Sequence, residues 1–209
     1  MSSLISQRRS LTRERLIRAA LPVFAEKGVA AASVEEICEA AGFTRGAFYS
    51  NFESKDDLCI ALLEWQCEQS LADVRSTVDS LVLTDDPPFD VLARRALEMF
   101  TASQWSDRAW VLAEAELRLY AAREDSLRAA YREFEDRTLA AFADIIVEAL
   151  APRGYRLVLP AVEAIAILAG AYQHGVLESV IRDEDTGERT TDQLVLLLSA
   201  LVAPAREDA

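Results

Sequence analysis

The stretch Ser33-Val34-Glu35-Glu36-Ile37-Cys38-Glu39-Ala40-Ala41-Gly42-Phe43-Thr44-Arg45-Gly46-Ala47-Phe48-Tyr49 decides the fold. Ser33 followed three residues later by Glu36 has the signature of a capping box, in which a hydroxyl and a carboxylate satisfy each other's free backbone N–H groups. Val34, Ile37, Cys38 and Ala41 then repeat at helical spacing, and Gly42 is the residue type that ends a helix in the left-handed conformation. Only Gly42 and Phe43 precede Thr44, which can cap a second short helix through Tyr49 or Ser50, with Phe48 and Phe52 directed to one side. Two short helices joined by so tight a turn form a helix-turn-helix.

Upstream, Ile17, Ala20, Leu21, Phe24 and Ala25 make an amphipathic stripe over 12–27, closed by Gly28. Pro22 falls inside it and predicts a local bend. Downstream, Ser54 with Asp57 opens a long helix carrying Leu58, Ala61, Leu62 and Trp65, which can run on through Leu71, Val74, Val78 and Leu81. Thr84-Asp85-Asp86-Pro87-Pro88 breaks it, and further helices are expected near 89–103, 107–122, 126–151, 157–182 and 191–203. The expected fold is all-α with about nine helices: a three-helix helix-turn-helix domain over 1–54 and a second helical domain over 55–209. Val162, Ile165, Ala169, Tyr172 and Val176 alternate spacings of three and four, a packing seam on a segment apolar on several sides and so expected to meet another subunit. The polar run 182–189 lacks the ligand spacing of a calcium loop and reads as solvated linker.

Composition agrees and narrows the chemistry. The 209 residues are 51% hydrophobic and 27% charged, with 7 Gly and 6 Pro, which excludes disordered and collagen-like chains. Cys38, Cys59 and Cys67 are an odd set with no C-x-x-C pair, so neither a disulfide framework nor a zinc site is expected. One histidine, His174, and two lysines leave little for acid-base or Schiff-base catalysis, and neither an enzyme nor a metal or other cofactor is expected. The N-terminus lacks the apolar core of a signal peptide, and Glu163 is expected to interrupt the longest apolar stretch before it spans a bilayer; a cytoplasmic protein without a membrane partner is expected.

The formal charge of −13 is unevenly spread. Residues 1–60 hold 8 Lys/Arg and 8 Asp/Glu, leaving 14 and 27 for 61–209. Arg8, Arg9, Arg13, Arg15 and Arg18 stand against Glu14 alone over 1–18, a small basic end on an acidic chain.

At the start of the second motif helix the residues are polar or small. Arg45 can present two donors to guanine O6 and N7, and Gly46 permits close approach to base edges. Tyr49 lies one turn beyond Arg45 on the same face, where its hydroxyl can donate to a phosphate. Lys55, in the first turn of the following helix, adds charge where free N–H groups already favour an anion. This separation of base from phosphate contacts is that of a DNA-binding motif.

From 12 to 62 the chain resembles the TetR (tetracycline-repressor) family of bacterial transcription regulators. The resemblance rests on Phe24-Ala25-Glu26-Lys27-Gly28 at the end of the first helix, the Ser33-capped helix ending Ala41-Gly42, the segment from Thr44 to Phe52, and Ser54-Lys55 to Leu58. Asn51 stands where His is common in the family, and Pro22 is a second departure. The resemblance implies that Ser33 touches phosphate, that Thr44, Arg45 and Gly46 approach bases, and that Tyr49 and Lys55 grip the backbone; Asn51, the departure, either shifts the packing or adds a polar contact to the DNA-binding set. The Arg8-Arg9 arm would either reach adjacent DNA or form a disordered tail, the plainer reading.

The family also implies a homodimer through 157–182 and 191–203 on a palindromic double-stranded operator, and a ligand-binding and dimerisation domain whose small-molecule effector, apolar or aromatic, releases the DNA. Candidate wall residues are Trp65, Met99, Phe100, Trp105, Trp110, Tyr120, Tyr172 and His174, although aromatic residues at helical spacing are more often plain core and a lone histidine more often structural. Cys59 and Cys67, eight apart on one helix face, read as packing rather than redox sensors. A ligand-blind or architectural DNA-binding protein remains the alternative.

Overall fold

The computed structural model describes residues 2–80, 88–104 and 107–205. Among these the helices are α1 (Ser2–Lys27), α2 (Val34–Ala41), α3 (Arg45–Tyr49), α4 (Lys55–Ser80), α5 (Phe89–Gln104), α6 (Arg108–Arg123), α7 (Asp125–Leu150), α8 (Ala161–Arg182) and α9 (Gly187–Leu201). The expected all-α architecture and its helix-turn-helix are therefore present. The breaker around Thr84 and the Trp105 side chain lie outside the described residues.

Four features depart from the sequence expectations. First, α1 begins at Ser2 rather than near Thr12, so Arg8 and Arg9 belong to a helix and not to a disordered arm. Nothing between Ser2 and Thr12 breaks a helix, and Leu, Ile, Gln and Arg all tolerate one. The helix also continues through Pro22, which lies exposed.

Second, Tyr155–Leu157 (β1) pairs antiparallel with Val202–Pro204 (β2), matching Tyr155 to Pro204 and Leu157 to Val202. Leu157, Val202 and Ala203 were expected to be the ends of helices, whereas Tyr155, Arg156 and Pro204 lay between or beyond them. Tyr155 and Val158 favour strand, and the residue preceding a proline is driven to extended backbone, so α8 starts only at Ala161. Third, the 182–189 segment is a tight connection: Asp183 is left-handed with φ 53°, and Thr186 is buried with its hydroxyl donating to the Gly175 carbonyl at 3.2 Å. Fourth, α8 is long and apolar enough to cross a membrane by length and composition, with a mean hydropathy of 1.3. Glu163 does not prevent this because it sits in the first turn, ahead of the apolar run.

The chain forms two compact units, Met1–Cys67 with Arg108–Phe134, and Glu68–Asp107 with Glu135–Ala209. This division does not follow the expected 54/55 boundary, because α1 packs on α6 as well as on α2. In the first unit Leu16, Phe24, Ile37, Phe48, Leu62 and Leu117 are wholly buried around one core. Burial of each such side chain stabilises the fold by about 1.5–3 kcal/mol, so the short α2 and α3 are held by packing rather than by their own length.

In the second unit α9 packs against α5 and α8. Gly175 is essential to that approach, since a Cβ there would stand 2.3 Å from Thr190 Cγ2. The expected α8 seam divides: Ile165 and Val176 are buried, while Val162 faces outward.

Candidate nucleic-acid interface

The turn between α2 and α3 is set by its caps. Ser33, extended at φ −100° and ψ 155°, accepts from the Glu36 N–H at 3.2 Å, while the Glu36 carboxylate accepts from the Ser33 N–H at 2.9 Å and from its hydroxyl at 2.9 Å. Lys27 Nζ meets the other Glu36 oxygen at 2.6 Å. This lysine, then the Ser33 backbone and hydroxyl donors, lower the Glu36 pKa to about 2. Gly42 ends α2 at φ 68°, a conformation that side chains rarely adopt, and its N–H reaches back to the Cys38 and Glu39 carbonyls.

Thr44 then caps α3 by accepting from the Ala47 N–H at 3.3 Å. Phe48 and Phe52 are buried with ring centroids 5.5 Å apart, holding α3 from behind as expected.

Facing outward from this support are Thr44, Arg45, Gly46 and Tyr49, all exposed. Arg45 Nη1 lies 2.5 Å from Glu35 Oε1, and the guanidinium carbon lies 5.8 Å from the centre of the Tyr49 ring. At Gly46 an added Cβ would meet only the Thr44 hydroxyl, at 3.7 Å. The chain's own packing therefore does not require a glycine there, although glycine weakens a helix by about 0.5–1 kcal/mol relative to alanine. An open cleft of about 400 Å³ lies beside this face, lined by Arg9, Thr12, Phe43, Ala47, Ser50 and Asn51.

Two residues of the expected DNA-binding set are engaged within the chain. Lys55 Nζ donates to the carbonyls of Val29 at 2.6 Å, Ala32 at 2.9 Å and Ala30 at 3.3 Å, and sits 5.4 Å from the centre of the Tyr120 ring. An ammonium has three donors, so Lys55 closes the loop from α1 to α2 instead of standing free for phosphate. Asn51 donates through Nδ2 to the Ala47 carbonyl at 2.8 Å and to the Ser50 hydroxyl at 3.1 Å, turning back onto the end of α3, and its buried Oδ1 has no hydrogen-bond partner among the described residues. Ser33 keeps its place at the start of α2 with its hydroxyl committed to the capping box.

Sequence reasoning missed two arginines. Arg13 donates to the Asn51 carbonyl at 3.0 Å with its guanidinium over the Phe52 ring at 4.3 Å. Arg15 donates to the Ala41 carbonyl at 2.9 Å and covers the Phe43 ring at 4.6 Å. Both were counted as basic charge, whereas they satisfy the free carbonyls that end α2 and follow α3. Their location two residues apart on α1, facing two short helices with no basic residue in their last turns, was the available signal.

The expected effector residues divide between the units. Trp65, under Arg18 at 5.4 Å, and Trp110 pack against the core of the first unit. Tyr120 belongs there too: its hydroxyl donates to Asp56 at 3.2 Å, and Ser126 donates to the same carboxylate at 2.7 Å. Burial and then the Asp56 charge push Tyr120 up to about 12. In the second unit the Phe100 and Tyr172 rings pair at 5.3 Å, and His174 is exposed on α8. Cys38 and Cys59 are buried, and burial pushes Cys59 up to about 12, which suits packing rather than a reactive thiolate.

The helix-turn-helix defines a class of DNA-binding regulatory proteins. Residues 16–62 match the tetR family of bacterial regulatory proteins. The HTH-type transcriptional regulator CymR of Pseudomonas putida is 30% identical over 149 residues, which cover 71% of this chain and 70% of CymR. The chain belongs to the TetR family and is a transcriptional regulator of that family. With the HTH-type regulator YerO of Bacillus subtilis it shares 32% identity over 83 residues, 40% of this chain but only 28% of YerO. The transcriptional regulator FadR of Bacillus subtilis, solved in complex with stearoyl-CoA, shares the fold with a TM-score of 0.66 and 19% identity, covering 87% of this chain and 97% of FadR.

Proposed function

We propose that the chain is a ligand-responsive repressor that binds a palindromic operator as a homodimer in the cytoplasm and leaves it when a small apolar or aromatic molecule binds. The observation that carries the reading is the outward face of α3. An exposed glycine that the chain's own packing does not require, flanked by a capping threonine and an arginine, suits a helix whose backbone must approach base edges. Thr44, Arg45 and Gly46 take the bases, Tyr49 takes phosphate, and the exposed Arg9 on α1 extends the basic margin.

Dimerisation is assigned to α8 and α9, which turn large apolar side chains outward: Ile181 is 69% and Leu196 71% exposed, and Val162 and Ile167 are exposed on α8 as well. Exposed apolar surface of this kind suits a second copy of the chain. The two-fold axis would place two copies of α3 in successive major grooves of one operator. The effector is assigned to the second unit around the Phe100–Tyr172 pair, whose rings, tilted by 54° at 5.3 Å, suit an apolar or aromatic ligand. FadR's acyl-CoA complex is a precedent in the same fold for a ligand with a long apolar part. Binding would favour a dimer in which the two α3 helices no longer fit the operator.

The test is selection of bound duplexes from genomic fragments, followed by anisotropy titrations at graded salt with small molecules added. Symmetric sites, steep salt dependence and release by one class of apolar molecule are expected. Equal binding to every duplex with no release by any molecule would instead favour an architectural DNA-binding role.

A further inference from the structure

We propose that Glu35 is a positioning residue that determines specificity: it holds the Arg45 guanidinium in a fixed place on the outward face of α3 and withholds its charge from phosphate. The inference rests on the assignment of Arg45 to a base contact. Glu35 is the second residue of α2, next to Glu36, yet the capping box and the Lys27 pair both use Glu36. The Glu35 carboxylate reaches across the turn to Arg45 Nη1 at 2.5 Å. The Tyr49 ring, 5.8 Å from the guanidinium carbon, confines the same group from a second side.

Both members of the pair are more than half exposed, 61% for Arg45 and 54% for Glu35, so the pair contributes little to folding. Its consequence lies in recognition. A guanidinium carries five N–H donors, and the contact through Nη1 leaves others for guanine O6 and N7. A free arginine would attract any phosphate within reach. Paired with a carboxylate on a surface that faces phosphates, it adds little to sequence-independent attraction, and its remaining donors are rewarded only by a correctly placed base edge.

The experiment measures anisotropy at several salt concentrations for the full chain, Glu35→Gln, Arg45→Ala and the double variant. The probes are the selected operator duplex, its single base-pair substitutions and an unrelated duplex. Glu35→Gln is expected to bind the unrelated duplex several-fold more tightly, with a salt slope steeper by about one charge per half-site. It should lower the ratio of operator to unrelated binding by roughly tenfold, with the loss confined to the base pair at which Arg45→Ala also loses discrimination. In the Arg45→Ala background, Glu35→Gln should leave that ratio unchanged.

If Glu35→Gln instead tightens every duplex by one common factor, Glu35 is only a repelling charge and the proposal is overturned. A ratio change that persists without Arg45 overturns it equally. An Arg45→Ala variant that keeps full discrimination removes the base contact itself, and the proposal falls with that assignment, a result distinguishable from the first two.

Discussion

The two units are built from similar helix-forming residues and present different outer faces. The first buries apolar groups, Phe24, Phe48 and Leu62 among them, and turns Thr44, Arg45 and Glu35 outward. The second also buries apolar groups, Ile165 and Leu194 among them, but adds hydroxyls, with Thr190 and Thr191 on α9 and the Thr101 and Thr191 oxygens 3.3 Å apart, and turns Ile181 and Leu196 outward. Each outward surface fits a different kind of neighbour. Polar and small groups suit a charged, hydrated duplex, whereas bare aliphatic groups suit another protein surface.

The contrast breaks most visibly if the second unit's outer face is made polar. Ile181→Glu with Leu196→Glu should convert the dimer to monomer by sedimentation and weaken operator binding by roughly 100-fold or more, because two linked heads become one. A dimer that survives both changes would move the interface elsewhere. Next comes the close approach of α8 and α9. Gly175→Ala places a Cβ against Thr190 and should cost about 1–3 kcal/mol, read as a fall of several degrees in Tm.

Arg45→Ala should cost about 1–3 kcal/mol of discrimination at one base pair and leave Tm unchanged, since the residue serves the outside only. Lys55→Ala should do the reverse. It leaves three carbonyls without their donor and should destabilise the first unit by about 1–2 kcal/mol, while the salt slope of DNA binding stays at the parent value. A flattened slope with an unchanged Tm would return Lys55 to the phosphate backbone.

The smallest effect concerns Glu36. Its pKa is lowered from 4.5 to about 2 in the folded chain, so the stability it contributes is present above pH 4.5 and is lost as the pH falls toward 2. In Glu36→Gln the part of the acid-induced fall in Tm over that window that belongs to this group should disappear.

The first unit was the more legible from sequence because its determinants are local. Ser33, Glu36, Gly42 and Thr44 each fix a cap within four residues of themselves, and the stripe from Ile17 to Phe24 states which side is buried. The destinations of Lys55, Arg13 and Arg15 were not legible, because their partners are carbonyls 23–38 residues away and carry no side-chain signature. The same holds for β1 and β2, which pair across α8 and α9. Thr186 read as part of a solvated linker, yet it is buried on the Gly175 carbonyl, and the bare Cα of Gly175 makes room for Thr190 beside it. For the candidate site, the outward residues of α3 were readable by type, but the Glu35 contact depends on a turn whose geometry the spacing alone does not state.

Gly46→Leu tests the central claim most directly, because a Cβ at that position meets only the Thr44 hydroxyl, in ordinary contact, whereas a nucleic-acid partner would be held away. Operator affinity measured beside Tm and sedimentation should fall at least about tenfold, with Tm not lowered and the sedimentation behaviour that of the parent. Parental operator affinity in Gly46→Leu would contradict the placement of α3 against base edges.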